Sequence, residues 1–264
     1  MSILVTNSAA RRVPLLTLYA AFAIRTVRGA ASEDGGRARP VRAVLFDFDG
    51  SLVQSEETHR LSFSSVLGRE LDHDTWYTKC VGRGPLAILQ EYRQADAPPA
   101  EELARLLRED AVGRYDQVLP TNGHSQLLDD LDEAGIAMAI VSSGSRVYIN
   151  RVLERHGIAG RFKFIVAGDD PEVEGHHKPD PLPYLLAAKR LGVDPSQCIA
   201  VEDSPAGITS ALRAGMRVVT VRNPANRDHV LLQDELVVAH IDDFHGLSRT
   251  VIGCIVDADT APAA

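Results

Sequence analysis

The sequence predicts an α/β protein, a doubly wound, Rossmann-like parallel sheet with a small all-helical cap domain inserted after the first strand. Three observations carry this expectation. From residue 125 onward, short apolar runs alternate with helical patterns, as repeated strand–helix units of a parallel sheet covered on both faces require. The helical patterns stop at Gly135, Gly157, Gly192 and Gly215, the residue type favoured just past a helix end. Residues 56–120 instead show helical periodicity without a strand pattern. The expected organisation is an extension over residues 1–40, a core of residues 41–55 and 121–250, a helical cap over 56–120 and a tail over 251–264.

Size and composition permit a large core, with 264 residues and 45% apolar content, ordinary for a globular chain. The net charge of −8 is unevenly spread, because residues 1–40 hold six Arg and two acids, a balance of +4 that leaves −12 for the rest. So acidic a body argues against nucleic-acid or anionic-membrane partners. Cys80, Cys198 and Cys254 are odd in number and lack C-x-x-C spacing, which points to neither a disulfide framework nor a zinc site and fits a reducing cytosol. No apolar stretch reaches membrane-spanning length. A monomer is expected.

Residues 1–40 read as a separate piece. Arg11 and Arg12 precede an apolar stretch over 13–24 that Thr17 and Tyr19 interrupt, and Gly35, Gly36 and Pro40 suggest a flexible joint. A dispensable extension is the expectation and an organellar transit peptide the alternative. The folded part is expected to begin near Val41.

The first strand sets the site. Ala43, Val44, Leu45 and Phe46 form a run of the length of a buried parallel strand, and it stops at Asp47, Phe48, Asp49, Gly50 and Ser51. Residues i and i+2 share one side of an extended chain, so the two acids are expected to share one volume. Two ionised carboxylates there repel unless a positive charge sits between them. Gly50 lets the backbone turn close to a ligand, where its N–H and that of Ser51 can meet phosphate oxygens.

The cap pattern runs from Glu56 through Leu67 with Ser55 as N-cap, then over residues 85–92 and 101–115, separated by loops at 80–84 and 95–99. It ends at the turn 120–123. The core resumes with a helix over 125–134 and a strand over 136–141 that ends in Ser142, Ser143, Gly144 and Ser145. A helix over 147–156, a strand over 162–167 and a polar loop over 168–177 follow, then Lys178 and Pro179 and a helix over 181–191. The strand 198–201 ends in Glu202, Asp203 and Ser204, before a helix over 205–214 and a strand over 217–221. A short last element follows Asp243.

Ligands of such sheets sit at the carboxyl ends of the strands, and this chain gathers unusual chemistry there. A serine at a strand end is by itself a helix cap, and one lysine is by itself solvated; their convergence changes the reading. Asp47, Asp49 and Asp203 can offer oxygen ligands to Mg²⁺, with Glu202 orienting a metal-bound water. Lys178 can neutralise the oxygens of a transferring phosphoryl group while Ser142 and the N–H groups after it bind them. One acid of the first pair is left to attack phosphorus and the other to move a proton.

These segments resemble the four motifs of the haloacid-dehalogenase-like hydrolase superfamily, in order and spacing. Asp47, Phe48, Asp49, Gly50 and Ser51 match the first, Ser142 the second, Lys178 and Pro179 the third, and residues 202–207 the fourth. The fourth motif and the cap size resemble the subgroup of β-phosphoglucomutases and sugar-phosphate phosphatases. The resemblance implies that Asp47 is a nucleophile forming an aspartyl phosphate. It implies that Asp49 is the acid and then the base, lending its backbone carbonyl to Mg²⁺. Phosphate contacts would come from Gly50, Ser51, Ser143 and Gly144, and substrate contacts from His59, Gly82 and Arg83 in the cap.

The expected substrate is a small phosphorylated metabolite. Asp49 argues against organic halides, and Lys79, the one lysine in the cap, has neighbours unlike those of a phosphonatase Schiff-base site. His59 and Gly82 favour a mutase, whereas Pro85 stands where a mutase arginine is expected, Arg83 is two residues away, and Gln54 replaces an expected Asp. These blurred cap anchors favour hydrolysis, with a phosphomutase as the alternative. A non-catalytic binding module on the same fold is the remaining alternative, and the filled catalytic positions argue against it. Trp76 is expected to pack between cap helices, His176 and His177 to form a polar loop, and Arg146 either to reach substrate or to start a solvated helix.

Overall fold

A computed structural model describes residues 40–81, 83–222 and 235–247. The extension over 1–39, Gly82, Cys254 and the tail lie outside the described residues.

Five parallel strand pairings give the core its frame. Strands β1 (Ala43–Phe46), β4 (Ala137–Val141), β5 (Ile165–Val166), β6 (Cys198–Glu202), β7 (Arg217–Val221) and β8 (Val237–Ile241) form one sheet in the order β5-β4-β1-β6-β7-β8. All neighbours are parallel. Strand β1 is central and buried along its whole length, so its sequence is apolar on both faces. The edge strand β8 is half-buried along most of its length, and it is a strand that the sequence reading omits although residues 236–239 form a continuous apolar run.

Alternation divides the core in two. Val44, Phe46, Met138, Ile140, Ile199 and Val201 face a layer made by α5 (His124–Glu133) and α6 (Arg146–Arg155), with Phe46 edge-on to Phe162 and Phe244. Ala43, Leu45, Ala139, Val141, Cys198 and Ala200 face α7 (Leu182–Leu191) and α8 (Pro205–Arg213). Doubly wound packing follows from this period of two in buried strands.

Between β1 and α5 the chain leaves and re-enters the core through a two-stranded antiparallel ribbon, β2 (Val53–Gln54) with β3 (Leu119–Pro120). Thr121 fastens the return, its hydroxyl donating to the Ser51 carbonyl at 2.6 Å. A strand at residues 119–120 differs from the strandless 56–120 expected, because a two-residue strand is too short to show alternation. The cap region itself is helical: α1 (Glu56–Leu67), α2 (His73–Thr75), a π-turn at Trp76–Cys80, α3 (Pro85–Tyr92) and α4 (Ala100–Gly113). Ser55 precedes α1, but its hydroxyl does not cap it.

The cap region has its own apolar cluster. Phe63, Leu67, Trp76, Ile88, Leu89 and Leu103 pack together apart from both sheet faces, and the Trp76 indole donates to Glu56 at 3.0 Å. Cys80 and Cys198 are free and buried. Among the described residues no helix is long and apolar enough to cross a membrane.

Leu103→Ala removes a fully buried side chain of this cluster and is expected to cost about 2–4 kcal/mol, whereas Leu119→Ala, at a position 61% exposed, should change stability by less than about 0.5 kcal/mol. Trp76 is the one tryptophan in the chain, so urea unfolding followed by its fluorescence reads the cap directly.

Candidate active site

Register brings the polar strand ends level. Phe46 pairs with Ile140 and Val201, so Asp47, Val141 and Glu202 follow at one height, and the Asp47 N–H donates to the Val201 carbonyl at 2.9 Å. Parity then selects the face. Asp47 continues the side of Ala43 and Leu45, and Glu202 that of Cys198 and Ala200, so both acids are directed to the layer of α7.

Lys178 joins them there. Its ammonium donates to Asp47 Oδ1 at 2.5 Å, to Glu202 Oε1 at 2.6 Å and to the Val141 carbonyl at 2.9 Å. The Tyr184 hydroxyl donates to the same Glu202 oxygen at 2.9 Å, and the Lys178 ammonium lies 5.2 Å from the centre of its ring. The other Glu202 oxygen, Oε2, accepts from the Asp203 and Ser204 N–H groups and the Ser204 hydroxyl. Glu202 is completely buried and thus fully engaged. Burial opposes the Lys178 charge, but Asp47 and Glu202 raise its pKa above the ordinary value, so it stays an ammonium.

Asp49 follows a different course from the one expected. The strand ends at Phe46, and Leu52 and Val53 return their N–H groups to the carbonyls of Asp47 and Phe48. That turn cancels the extended-chain parity, and the two acids meet different partners. Asp49 Oδ1 is bonded by His59 Nε2 at 3.0 Å and by the Tyr148 hydroxyl at 3.2 Å. Burial works against its charge, but the charge and hydrogen bond of His59, helped by the hydroxyls of Ser55 and Tyr148, hold its pKa below the usual carboxylate value. His59 is raised to about 8: burial lowers it, and Asp49 more than offsets that.

The serine loop closes the other side. Ser142 Oγ accepts the Gly144 N–H at 2.9 Å, and Gly144 lies against Asp49, where a Cβ would stand 3.2 Å from Asp49 Oδ2. Gly168 braces this loop, since a Cβ there would meet the Ser143 carbonyl oxygen at 2.2 Å. Arg146 serves the same brace. Its guanidinium grips the Asp170 carboxylate at 2.5 and 2.6 Å and the Ile165 carbonyl at 3.0 Å, a structural tie that neither reading of Arg146 from the sequence included.

Gly50 and Ser51 complete the contact with the fourth motif. Gly50 has φ of +80°, and a Cβ on it would lie 2.1 Å from Asp203 Oδ2, while the Ser51 hydroxyl reaches Asp203 Oδ1 at 3.4 Å. Asp47, Glu202 and Asp203 each offer a carboxylate oxygen within 4.8 Å of the others, all buried. Burial and Glu202 push Asp47 up to about 8 against the pull of Lys178, and burial with Asp47 and Glu202 raises Asp203 as well. Closely packed buried carboxylate oxygens are the donor set of a hard divalent cation, so these residues fit a metal. The Asp49 carboxylate is not one of that set.

The cap residues are placed less closely. Arg83 is exposed, donating to Glu91 at 2.7 Å and to the Lys79 carbonyl at 2.8 Å, and no contact joins it to the acids. Ser143 is exposed, and Gly82 lies outside the described residues. His176 bonds Asp180 at 3.1 Å in an exposed loop. Tyr148 and Tyr184 were not expected at the site: each lies on a buried helix face, where its sequence position reads as packing.

A sheet whose carboxyl edge carries such a centre, with a helical insert rising from the turn after its first strand, is the architecture of a capped α/β hydrolase. The chain belongs to the haloacid dehalogenase-like hydrolases, whose family model matches residues 44–221. It is 34% identical over 191 residues to hexitol phosphatase A of Escherichia coli, covering 70% of this chain and 85% of that one. It is also 34% identical over 187 residues to the fructose-1-phosphate phosphatase YqaB of the same organism, covering 68% and 95%. The crystal structure of CbbY from Rhodobacter sphaeroides with phosphate superposes with a TM-score of 0.68 at 25% identity, over 81% of this chain and 99% of that one.

Mg²⁺ is expected to raise the melting temperature and a chelator to lower it, with the response lost in Asp203→Asn; scanning fluorimetry reads both. Gly207→Ala would place a Cβ 1.7 Å from Glu202 Oε1, displacing the carboxylate that holds Lys178. It should cost about 3 kcal/mol or more in urea unfolding.

Proposed function

We propose that the chain is a Mg²⁺-dependent phosphatase that hydrolyses a small phosphorylated metabolite, a sugar or polyol phosphate, through an aspartyl phosphate on Asp47. The observation that carries this reading is the division of the two acids. Asp47 lies against Lys178 and the carboxylate cluster, while Asp49 lies against His59, Tyr148 and Gly144. The curated relatives, two phosphatases acting on a hexitol phosphate and on fructose 1-phosphate by their names, support the substrate class.

Asp47, Glu202 and Asp203 would hold Mg²⁺, with the Asp49 backbone carbonyl as a further ligand by family resemblance. When bound, Mg²⁺ supplies positive charge that keeps Asp47 ionised and offsets that of the phosphate oxygens. The Ser142 hydroxyl already accepts the Gly144 N–H, which leaves its own proton to donate to a phosphate oxygen. The Gly50 N–H donates to the Val53 carbonyl at 2.8 Å instead of being left for a phosphate as expected; Ser51 and Ser143 would supply phosphate contacts by family resemblance, and Lys178 would meet the charge that develops on the transferring group.

The chemistry divides into two displacements. An Asp47 oxygen forms a bond to phosphorus as the ester P–O bond breaks, and the leaving oxygen takes a proton from Asp49. Water then attacks the phosphoenzyme and gives a proton to Asp49, releasing phosphate and restoring Asp47. Asp49 must be protonated at the start. Without substrate His59 holds it ionised, and a bound phosphate dianion is the like charge that raises its proton affinity.

Hydrolysis is favoured over the mutase alternative because Arg83, the candidate for a second phosphate, is engaged within the cap by Glu91 and the Lys79 carbonyl. Free, buried Cys80 and Cys198 suit a reducing cytosol.

With Mg²⁺, the chain is expected to release phosphate from 4-nitrophenyl phosphate and from members of a panel of phosphorylated sugars, polyols and small acids. Asp47→Asn should lower kcat by about 10³-fold or more. Absence of turnover on the whole panel would sink the enzyme reading, and conversion of β-glucose 1-phosphate to glucose 6-phosphate without free phosphate would make it a mutase.

A further inference from the structure

Two donors grip the Asp49 carboxylate, and one of them stands outside every motif the sequence displays. Tyr148 lies in the first turn of α6, 3% exposed, with its ring edge-on to Phe48 at 5.9 Å. Its hydroxyl and His59 Nε2 converge on the same oxygen, Oδ1. The second oxygen, Oδ2, faces Gly144 and so the loop that carries Ser142. A carboxylate pinned at one oxygen presents the other in a fixed direction.

We propose that Tyr148 is a positioning residue for proton transfer: its hydroxyl fixes Asp49 Oδ1, so that Oδ2 delivers the proton to the leaving oxygen. This rests on the reading of Asp49 as general acid. The two donors are not equivalent. The His59 side chain is 26% exposed and belongs to α1 of the cap region, whereas Tyr148 is set in the sheet-side core beside Ile149 and Val152. A buried phenol that lost its acceptor would be left unsatisfied, which is costly. Rotation of Asp49 away from its working orientation is therefore penalised by a residue that the core holds in place. Burial also raises the phenol pKa far above its ordinary value, so Tyr148 remains a donor.

Tyr148→Phe removes the hydroxyl and keeps the ring on Phe48. Its effect should depend on the leaving group, because 4-nitrophenolate departs without protonation and the oxygen of phenyl phosphate needs it. The two proteins are expected to show kcat/KM values within about twofold on 4-nitrophenyl phosphate and about tenfold apart on phenyl phosphate. Equal losses on both esters would assign Tyr148 a merely structural part, and equal activity on both would assign it none; either result overturns the proposal. Turnover of 4-nitrophenyl phosphate by the unaltered chain, and its loss in Asp47→Asn, test the phosphatase reading separately. Unchanged thermal melting of Tyr148→Phe confirms that the comparison is made between equally folded proteins.

Discussion

One ammonium group between two buried carboxylates organises the whole carboxyl edge of the sheet. Lys178 reaches Asp47, Glu202 and the end of β4 at once, and so ties three adjacent strands at the level where they stop. Taking those charges out of water costs several kcal/mol per ion, and it is tolerable because every Glu202 oxygen is bonded and the ammonium has three acceptors. The arrangement leaves an excess of negative charge in Asp47, Glu202 and Asp203. That excess fits the three carboxylates to a divalent cation.

The rest of the edge is fitted around this cluster by close backbone approach. Gly50 and Gly207 sit where a Cβ would strike Asp203 and Glu202, and Gly168 where it would strike the serine loop. Each lets one segment lie directly on a charged or hydrogen-bonded neighbour. The Arg146–Asp170 pair does the same work with side chains, joining the start of α6 to the loop after β5. These close approaches and the ion pair join the first-strand turn, the serine loop, the loop after β5 and the fourth motif.

Asp49 belongs to a second unit. It is the meeting point of the core, through Tyr148, and of the cap region, through His59. The cap region adds an apolar cluster of its own and joins the core through the short β2–β3 ribbon. Asp47 is bonded within the core by Lys178, whereas Asp49 also meets a residue of the cap region, His59. Two carboxylates two residues apart acquire opposite displacements of pKa for that reason.

Much of this was legible in the sequence, because its causes are local or periodic. Apolar runs ending in acids, a serine, and a Glu–Asp pair located the strands and their carboxyl ends, and the common end of a parallel sheet then required Asp47, Ser142, Lys178 and Glu202 to face one region. The two-residue strands of the ribbon were not legible, since they are too short to show alternation, whereas β8 was missed although residues 236–239 are a continuous apolar run. The partners of each acid were decided by the tertiary structure. A turn of five residues broke the parity that would have paired Asp47 with Asp49, and it gave Asp49 to Tyr148, 99 residues away along the chain. Tyr148 and Tyr184 look like core residues in sequence because most of each ring is core. Which buried hydroxyl finds a carboxylate depends on packing between distant helices, and the residue pattern of one chain does not encode that distance.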